Sequence, residues 1–273
     1  MVDPGPSSTY ARLLEGLAGL GMAPEDIRHV LLTHIHLDHA GATGHLLEAN
    51  PKIRVHVHGD GAPHLVDPER LIKSTRRTFG PRSETLWGTP VPVPSSAIQA
   101  WVPGDPCGLA WGRILPSPGH IDHHLAFQLD SDGTLVAGDA MGILLTPEGP
   151  VHPPTPPPSL DFLAWAETLE GWAGLDVPAF VATHFGLHRG FHARRLELLE
   201  ALSCLEARVS QALADGRAGL EAARAYGAEV VARMSHHGDE ARVRKYFATF
   251  PADHEWLGAV LHLRRRQKLA ASD

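Results

Sequence analysis

An apolar run, Val30-Leu31-Leu32, passes without a break into Thr33-His34-Ile35-His36-Leu37-Asp38-His39, so three imidazoles and a carboxylate crowd the end of a candidate strand. Taking such groups out of water without partners is costly. Neutral imidazole and carboxylate are also the donor types that hold zinc, iron or manganese. The fold must therefore present this run at a strand end, where other ligand-bearing loops can reach it, and a metal is the first functional expectation.

Composition sets outer limits. With 273 residues, 43% hydrophobic and 20% charged, the chain can bury a full core and form one large domain, or one domain and an appendage. A net charge of -7 argues against a general nucleic-acid binder, and the basic run Arg264-Arg265-Arg266-Gln267-Lys268 reads as a solvated helix end. Cys107 and Cys204 are too few and too far apart for a disulfide framework. With no apolar leader and no stretch as long as a membrane span, a reduced, cytoplasmic protein is expected. The histidine count, 19, is unusual, so each histidine has to be weighed by its place relative to strands and turns.

Along the chain, Ser7 or Ser8 is placed to cap a helix through Tyr10, Leu13, Leu14, Leu17 and Leu20, with Gly21 as its stop. A strand over 30–33, a short helix over 41–48 and an alternating strand at Ile53, Val55 and Val57 follow. Residues 68–79 read as an amphipathic helix and 81–94 as irregular connection. Short strands are expected at 98–102, 112–115, 125–129 and 134–137, the last two joined by the hairpin turn Asp130-Ser131-Asp132-Gly133. Residues 147–158 hold seven prolines and read as an extended surface loop. A helix over 160–172 and a buried strand over 179–182 come next. Beyond Gly190 the pattern is helical, with a stripe at Leu196, Leu199, Leu202, Leu205, Val209 and Leu213 and three further helices after it.

Three more ligand-type residues sit at strand ends. His120 follows Pro116-Ser117-Pro118-Gly119, a tight loop that leaves the imidazole projecting. Asp139 ends Leu135-Val136-Ala137-Gly138, where a lone carboxylate would need a cation or donors. His184 ends Phe180-Val181-Ala182-Thr183. Strand ends gather function, so these segments can converge.

In this order, His34-x-His36-x-Asp38-His39, Pro118-Gly119-His120, Gly138-Asp139 and Thr183-His184 resemble the signature of the metallo-β-lactamase fold superfamily. The resemblance implies an α/β fold, the αββα sandwich of that superfamily, over residues 1–190, with a helical C-terminal extension over 191–273. It implies that His34, His36 and His120 hold one divalent ion, that Asp38, His39 and His184 hold a second, and that Asp139 bridges them together with a water. Two such ions acidify the shared water, polarise a substrate carbonyl and stabilise the oxyanion, while Asp38 orients the nucleophile. Zinc suits the donors, and iron or manganese fits as well. Members usually have one or more strands ahead of the Asp3 position, whereas only Met1 and Val2 precede it here, so an opening hairpin is expected to be missing or to lie upstream.

Within the superfamily the chain resembles the hydrolases that include glyoxalase II and the N-acyl homoserine lactonases, which implies cleavage of a small ester, thioester or lactone. Tyr10, Tyr226 and Tyr246 are the only tyrosines, and none follows Asp139 closely, which counts against the lactonases. Arg189, Arg194 and Arg195 do not match the glutathione-gripping pattern of glyoxalase II. The alternatives are a mononuclear iron persulfide dioxygenase, a phosphodiesterase or nuclease of the same fold, and a non-catalytic metal-binding relative. His58, His64 and His188 are lesser candidates for the pocket, His123 or His124 for support behind His120, and His152 for a pocket wall. His236 and His237 are expected to cap or turn. The six tryptophans read as core or interface. A small-molecule substrate is expected, with neither nucleic acid nor membrane as partner, and the leucine stripe packs either on the domain or in a homodimer.

Overall fold

The computed structural model describes residues 1–102 and 108–271. Cys107 lies outside the described residues, while Cys204 is free and exposed. The chain falls into two compact units, Met1–Cys107 and Gly108–Asp273.

The first unit is a parallel sheet with helical cover. Its helices are α1 (Tyr10–Gly19), α2 (Leu37–Ala40), α3 (Thr43–Ala49), α4 (Ala62–Val66), α5 (Glu69–Phe79) and α6 (Ser83–Trp87). Its strands are β1 (His29–Leu31), β2 (Arg54–His58) and β3 (Ile98–Trp101), in that spatial order, with Val30 opposite Val55 and Val57 opposite Ala100. Val30, Leu32, Val55 and Val57 are fully buried, as expected where parallel strands are covered on their faces. Met1 to Asp3 lie along the outer edge of β1, with a parallel bridge from Val2 to Leu31 and hydrogen bonds from the Asp3 amide to Leu31 and from the Leu31 amide to Met1. These residues therefore cover the outer edge of β1.

Two expectations fail locally. Neither serine caps α1: the Ser7 hydroxyl donates to the Gly41 carbonyl and the Ser8 hydroxyl to that of Leu86, so tertiary acceptors win over the local cap. Within the proline-bearing connection, α6 forms because Trp87 is buried edge-on against Phe79, their rings 5.1 Å apart.

The second unit contains β4 (Gly108–Leu109), β5 (Gly112–Pro116), β6 (Leu125–Leu129), β7 (Leu135–Val136), β8 (Phe180–Ala182) and β9 (Gly186–His188), which form a six-stranded sheet in sequence order. All pairings are antiparallel except β7 with β8, the two joined through the crossover helix α7 (Phe162–Gly171). Asp132 closes the β6–β7 hairpin by accepting the Thr134 amide, and Gly133 takes the left-handed conformation the turn needs, φ 72°. Asp161 caps α7 through the Ala164 amide. The helices expected after Gly190 are present in this unit as α8 (Phe191–Ala214), α9 (Leu220–His236), α10 (Glu240–Thr249) and α11 (Ala252–Ala270).

On α8 the buried stripe is Leu198, Leu202, Leu205 and Val209, while Leu196 is 57% exposed. Steps of three turn a helix by about 300°, so the expected stripe drifts around the cylinder, whereas steps of four, three and four stay on one face. The proline-rich stretch also departs from expectation. It is not a surface loop at its centre: Val151, His152 and Thr155 are buried, and His152 bridges to Ile143 through both backbone groups.

Candidate metal ligands

Each unit carries its own set of ligand-type side chains. In the first, β1 ends one residue before Leu32, and the histidine run leads into α2 with Asp38 and His39 in its first turn. His34 and His39 are fully buried, His36 and Asp38 half-buried. His34 Nε2 and His36 Nδ1 stand 2.8 Å apart, and His39 Nε2 is 3.5 Å from an Asp38 oxygen.

Asp3, which the sequence marks only by its position, decides the proton placement of this set. Its carboxylate accepts the Thr33 amide at 2.8 Å, the Thr33 hydroxyl at 2.8 Å and His39 Nδ1–H at 2.9 Å. A neutral imidazole has one N–H, so His39 is left with its lone pair on Nε2. The Thr33 hydroxyl proton is committed to Asp3, so Thr33 Oγ1 can only accept from His34 Nδ1 at 3.0 Å, which leaves the His34 lone pair on Nε2 as well. One carboxylate thus sets the tautomer of two candidate ligands, directly and through a threonine.

In the second unit His120 follows β5 and Asp139 follows β7, in the single turn Gly138–Met141, while His184 lies between β8 and β9. Asp139 sits between the two imidazoles: one oxygen is 3.4 Å from His120 Nε2, the other 3.6 Å from His184 Nε2. His120 Nδ1–H donates to the Pro154 carbonyl at 2.8 Å, and a carbonyl can only accept, so His120 also keeps its lone pair on Nε2. His124 packs edge-on behind His120, ring centroids 6.3 Å apart, and also supports the aspartate: it accepts the Asp139 amide at Nε2, 3.2 Å, and donates from Nδ1 to Ser117, 2.7 Å. Trp165, fully buried, packs edge-on to His120 and donates to the Ala140 carbonyl just past Asp139.

The donor chemistry fits divalent metal. In each set imidazole nitrogens and carboxylate oxygens stand within a few ångströms, and the lone pairs of His34, His39 and His120 are directed by outer partners.

The lesser candidates do not join these sets within their own units. His58 accepts the Asp60 amide and caps the turn after β2. His64 lies half-buried in α4. His188 is buried in β9 beside Phe180, and burial pulls its pKa down. His152 hydrogen-bonds to Glu255 on α11. Conversely, Tyr246, dismissed on sequence distance, returns from α10 to meet His184, ring centroids 6.2 Å apart, stacked on Phe250, which also touches His184. Only tertiary contact could have revealed it.

Residues 1–184 match the family described as the Metallo-beta-lactamase superfamily, a stretch that spans both units. YobT of Bacillus subtilis is 25% identical over 140 residues, 51% of this chain and 56% of that protein. Thioesterase pkgB of Emericella nidulans is 31% identical over 113 residues, 41% of this chain and 24% of that protein. The matched stretches thus span about half the length of one curated relative and a quarter of the other. Among solved structures, the metallo-beta-lactamase family protein TTHA1429 from Thermus thermophilus is 25% identical with a TM-score of 0.65, covering 97% of this chain and 84% of its own. TTHA1623, solved in a di-iron-bound form, is 25% identical with a TM-score of 0.51, covering 71% of this chain and 86% of its own.

Proposed function

The chain belongs to the metallo-beta-lactamase superfamily, and from that premise we propose that it is a metal-dependent hydrolase of a small ester, thioester or lactone. In this reading His34, His36 and His120 hold one ion, Asp38, His39 and His184 a second, and Asp139 serves both. The carrying observation is Asp139, buried with each oxygen turned to a different histidine. Zinc is the proposed metal, with iron or manganese acceptable to the same donors; the di-iron form of TTHA1623 is compatible with that range. The thioester class is supported by the partial match to pkgB, a thioesterase.

When bound, the ions supply an acidified water and a Lewis-acidic grip on the substrate carbonyl. The protein's own residues do the rest. Asp38, with 16% of its side chain exposed beside the fully buried His39, orients the attacking water and takes its proton at a carboxylate oxygen. Asp3 and Pro154 keep Nε2 of His34, His39 and His120 unprotonated and aimed. His124 holds the backbone of Asp139 in place.

The test is elemental analysis of protein purified without chelator or nickel, paired with turnover of thioester and lactone panels. About two ions per chain with hydrolysis supports the proposal. One iron per chain with oxygen uptake on a persulfide would replace it with the dioxygenase, and a chain that binds no metal would overturn it.

A further inference from the structure

Pro154 supplies the carbonyl that orients His120, yet Pro153 and Pro154 have no amide hydrogen, so this part of the backbone cannot be held by a ladder of its own. Its position is set by the residues on either side. On one side His152, with none of its surface exposed, pairs through its backbone with Ile143 and through its side chain with α11: Nε2–H donates to Glu255 at 2.7 Å. The Arg233 guanidinium on α9 points at the remaining nitrogen, Nδ1, at 3.5 Å, so the ring is wedged between a buried carboxylate and a cation. On the other side the Thr155 hydroxyl donates to the Glu255 carbonyl at 3.1 Å. A third constraint is steric. At Gly258, one turn further along α11, an added Cβ would collide with the Thr155 carbonyl oxygen and come within 2.9 Å of the Pro157 nitrogen, so helix and segment are in backbone contact.

We infer that α11 is a positioning element for His120: the Glu255–His152 hydrogen bond and the close approach at Gly258 clamp residues 151–157, and the clamped Pro154 carbonyl fixes which His120 nitrogen faces a metal. The inference rests on the metal-site reading above for its consequence, though not for its geometry. Glu255 and His152 are 103 residues apart in sequence, so the C-terminal helices reach the ligand set through this segment.

Two readouts test it on the full chain: zinc affinity by chelator competition, and the His120 tautomer of the metal-free protein by imidazole ¹⁵N NMR. Glu255→Leu and Gly258→Ala are expected to weaken one of two bound zinc ions by about 10–100-fold, the usual effect of losing an outer partner of a ligand, and to turn a single Nδ1–H tautomer into a mixture. Glu255→Gln keeps an acceptor for His152 Nε2–H and should stay close to wild type. If Glu255→Leu fails to fold, Gly258→Ala decides by the same readouts. Variants that lose thermal stability but keep both zinc affinities and the tautomer would overturn the inference, leaving the pair as packing alone. A wild-type chain that binds no zinc would instead defeat the metal reading, and the tautomer would still judge the clamp.

Discussion

Gly119→Ala offers a quantitative test of how the loop before His120 is built. Gly119 has φ 144°, in the region that favours glycine, and a Cβ there would collide with Cα and Cβ of Trp165 and lie 2.5 Å from its Cγ. Forcing a non-glycine residue into such a conformation costs about 1–3 kcal/mol. Overpacking a well-filled core costs about 1–3 kcal/mol more. The obstacle cannot swing aside, because Trp165 is fully buried, its indole N–H is bonded to the Ala140 carbonyl, and the Asp161 amide that precedes α7 is bonded to the Gly119 carbonyl itself. Relief requires moving α7 or the loop, and moving the loop carries His120 with it. The expected destabilisation is therefore about 2–6 kcal/mol, read as a lowered urea midpoint at unchanged slope in the metal-free protein. A loss below about 1 kcal/mol, with metal content as in wild type, would refute the claim that glycine is required there by close approach to Trp165.

Two further outcomes follow from the first unit. Asp3→Ala removes the acceptor for two Thr33 donors and one from His39, and is expected to cost about 3 kcal/mol and to weaken metal binding at both proposed ion positions, since His34 and His39 lose their fixed tautomers; unchanged chelator competition would contradict the derived proton placement. His56 has its pKa lowered from 6.5 to about 4, first by burial and then by the neighbouring His29 and N-terminal amine. Its neutral form is the one that folds, so its contribution is fully present above pH 6.5 and is lost as pH falls towards 4. Screened through the exposed ring of His29, this amounts to about 1–2 kcal/mol. Denaturant melts across pH 4–7 should show that slope in wild type and lose it in His56→Gln, and equal slopes would refute it.

The ligand residues were legible because their signals are local. A strand of apolar residues, a turn residue and a projecting histidine or aspartate occupy a few consecutive positions, and this pattern recurs at His34, His120, Asp139 and His184. Periodicity likewise placed most strands and helices, and it slipped on α8 where spacings of three and four were both available among the leucines. What surrounds the ligands was hidden because it is written in long-range pairs. Asp3 and His39, Pro154 and His120, and Tyr246 and His184 meet only through the fold. The Pro154 contact is made by a backbone carbonyl, which every residue possesses and no residue type announces. The buried centre of the proline-rich segment was misjudged for the same reason, since proline content reports the lack of amide donors and says nothing of what packs above them. By itself, then, the sequence determined which atoms are available to a metal and at which strand ends they emerge. Only the tertiary structure decided which nitrogen of His34, His39 and His120 is left to bind, because a tautomer is set by the partner on the ring's far side, and that partner comes from elsewhere in the chain or, for His34, is itself held by a distant carboxylate.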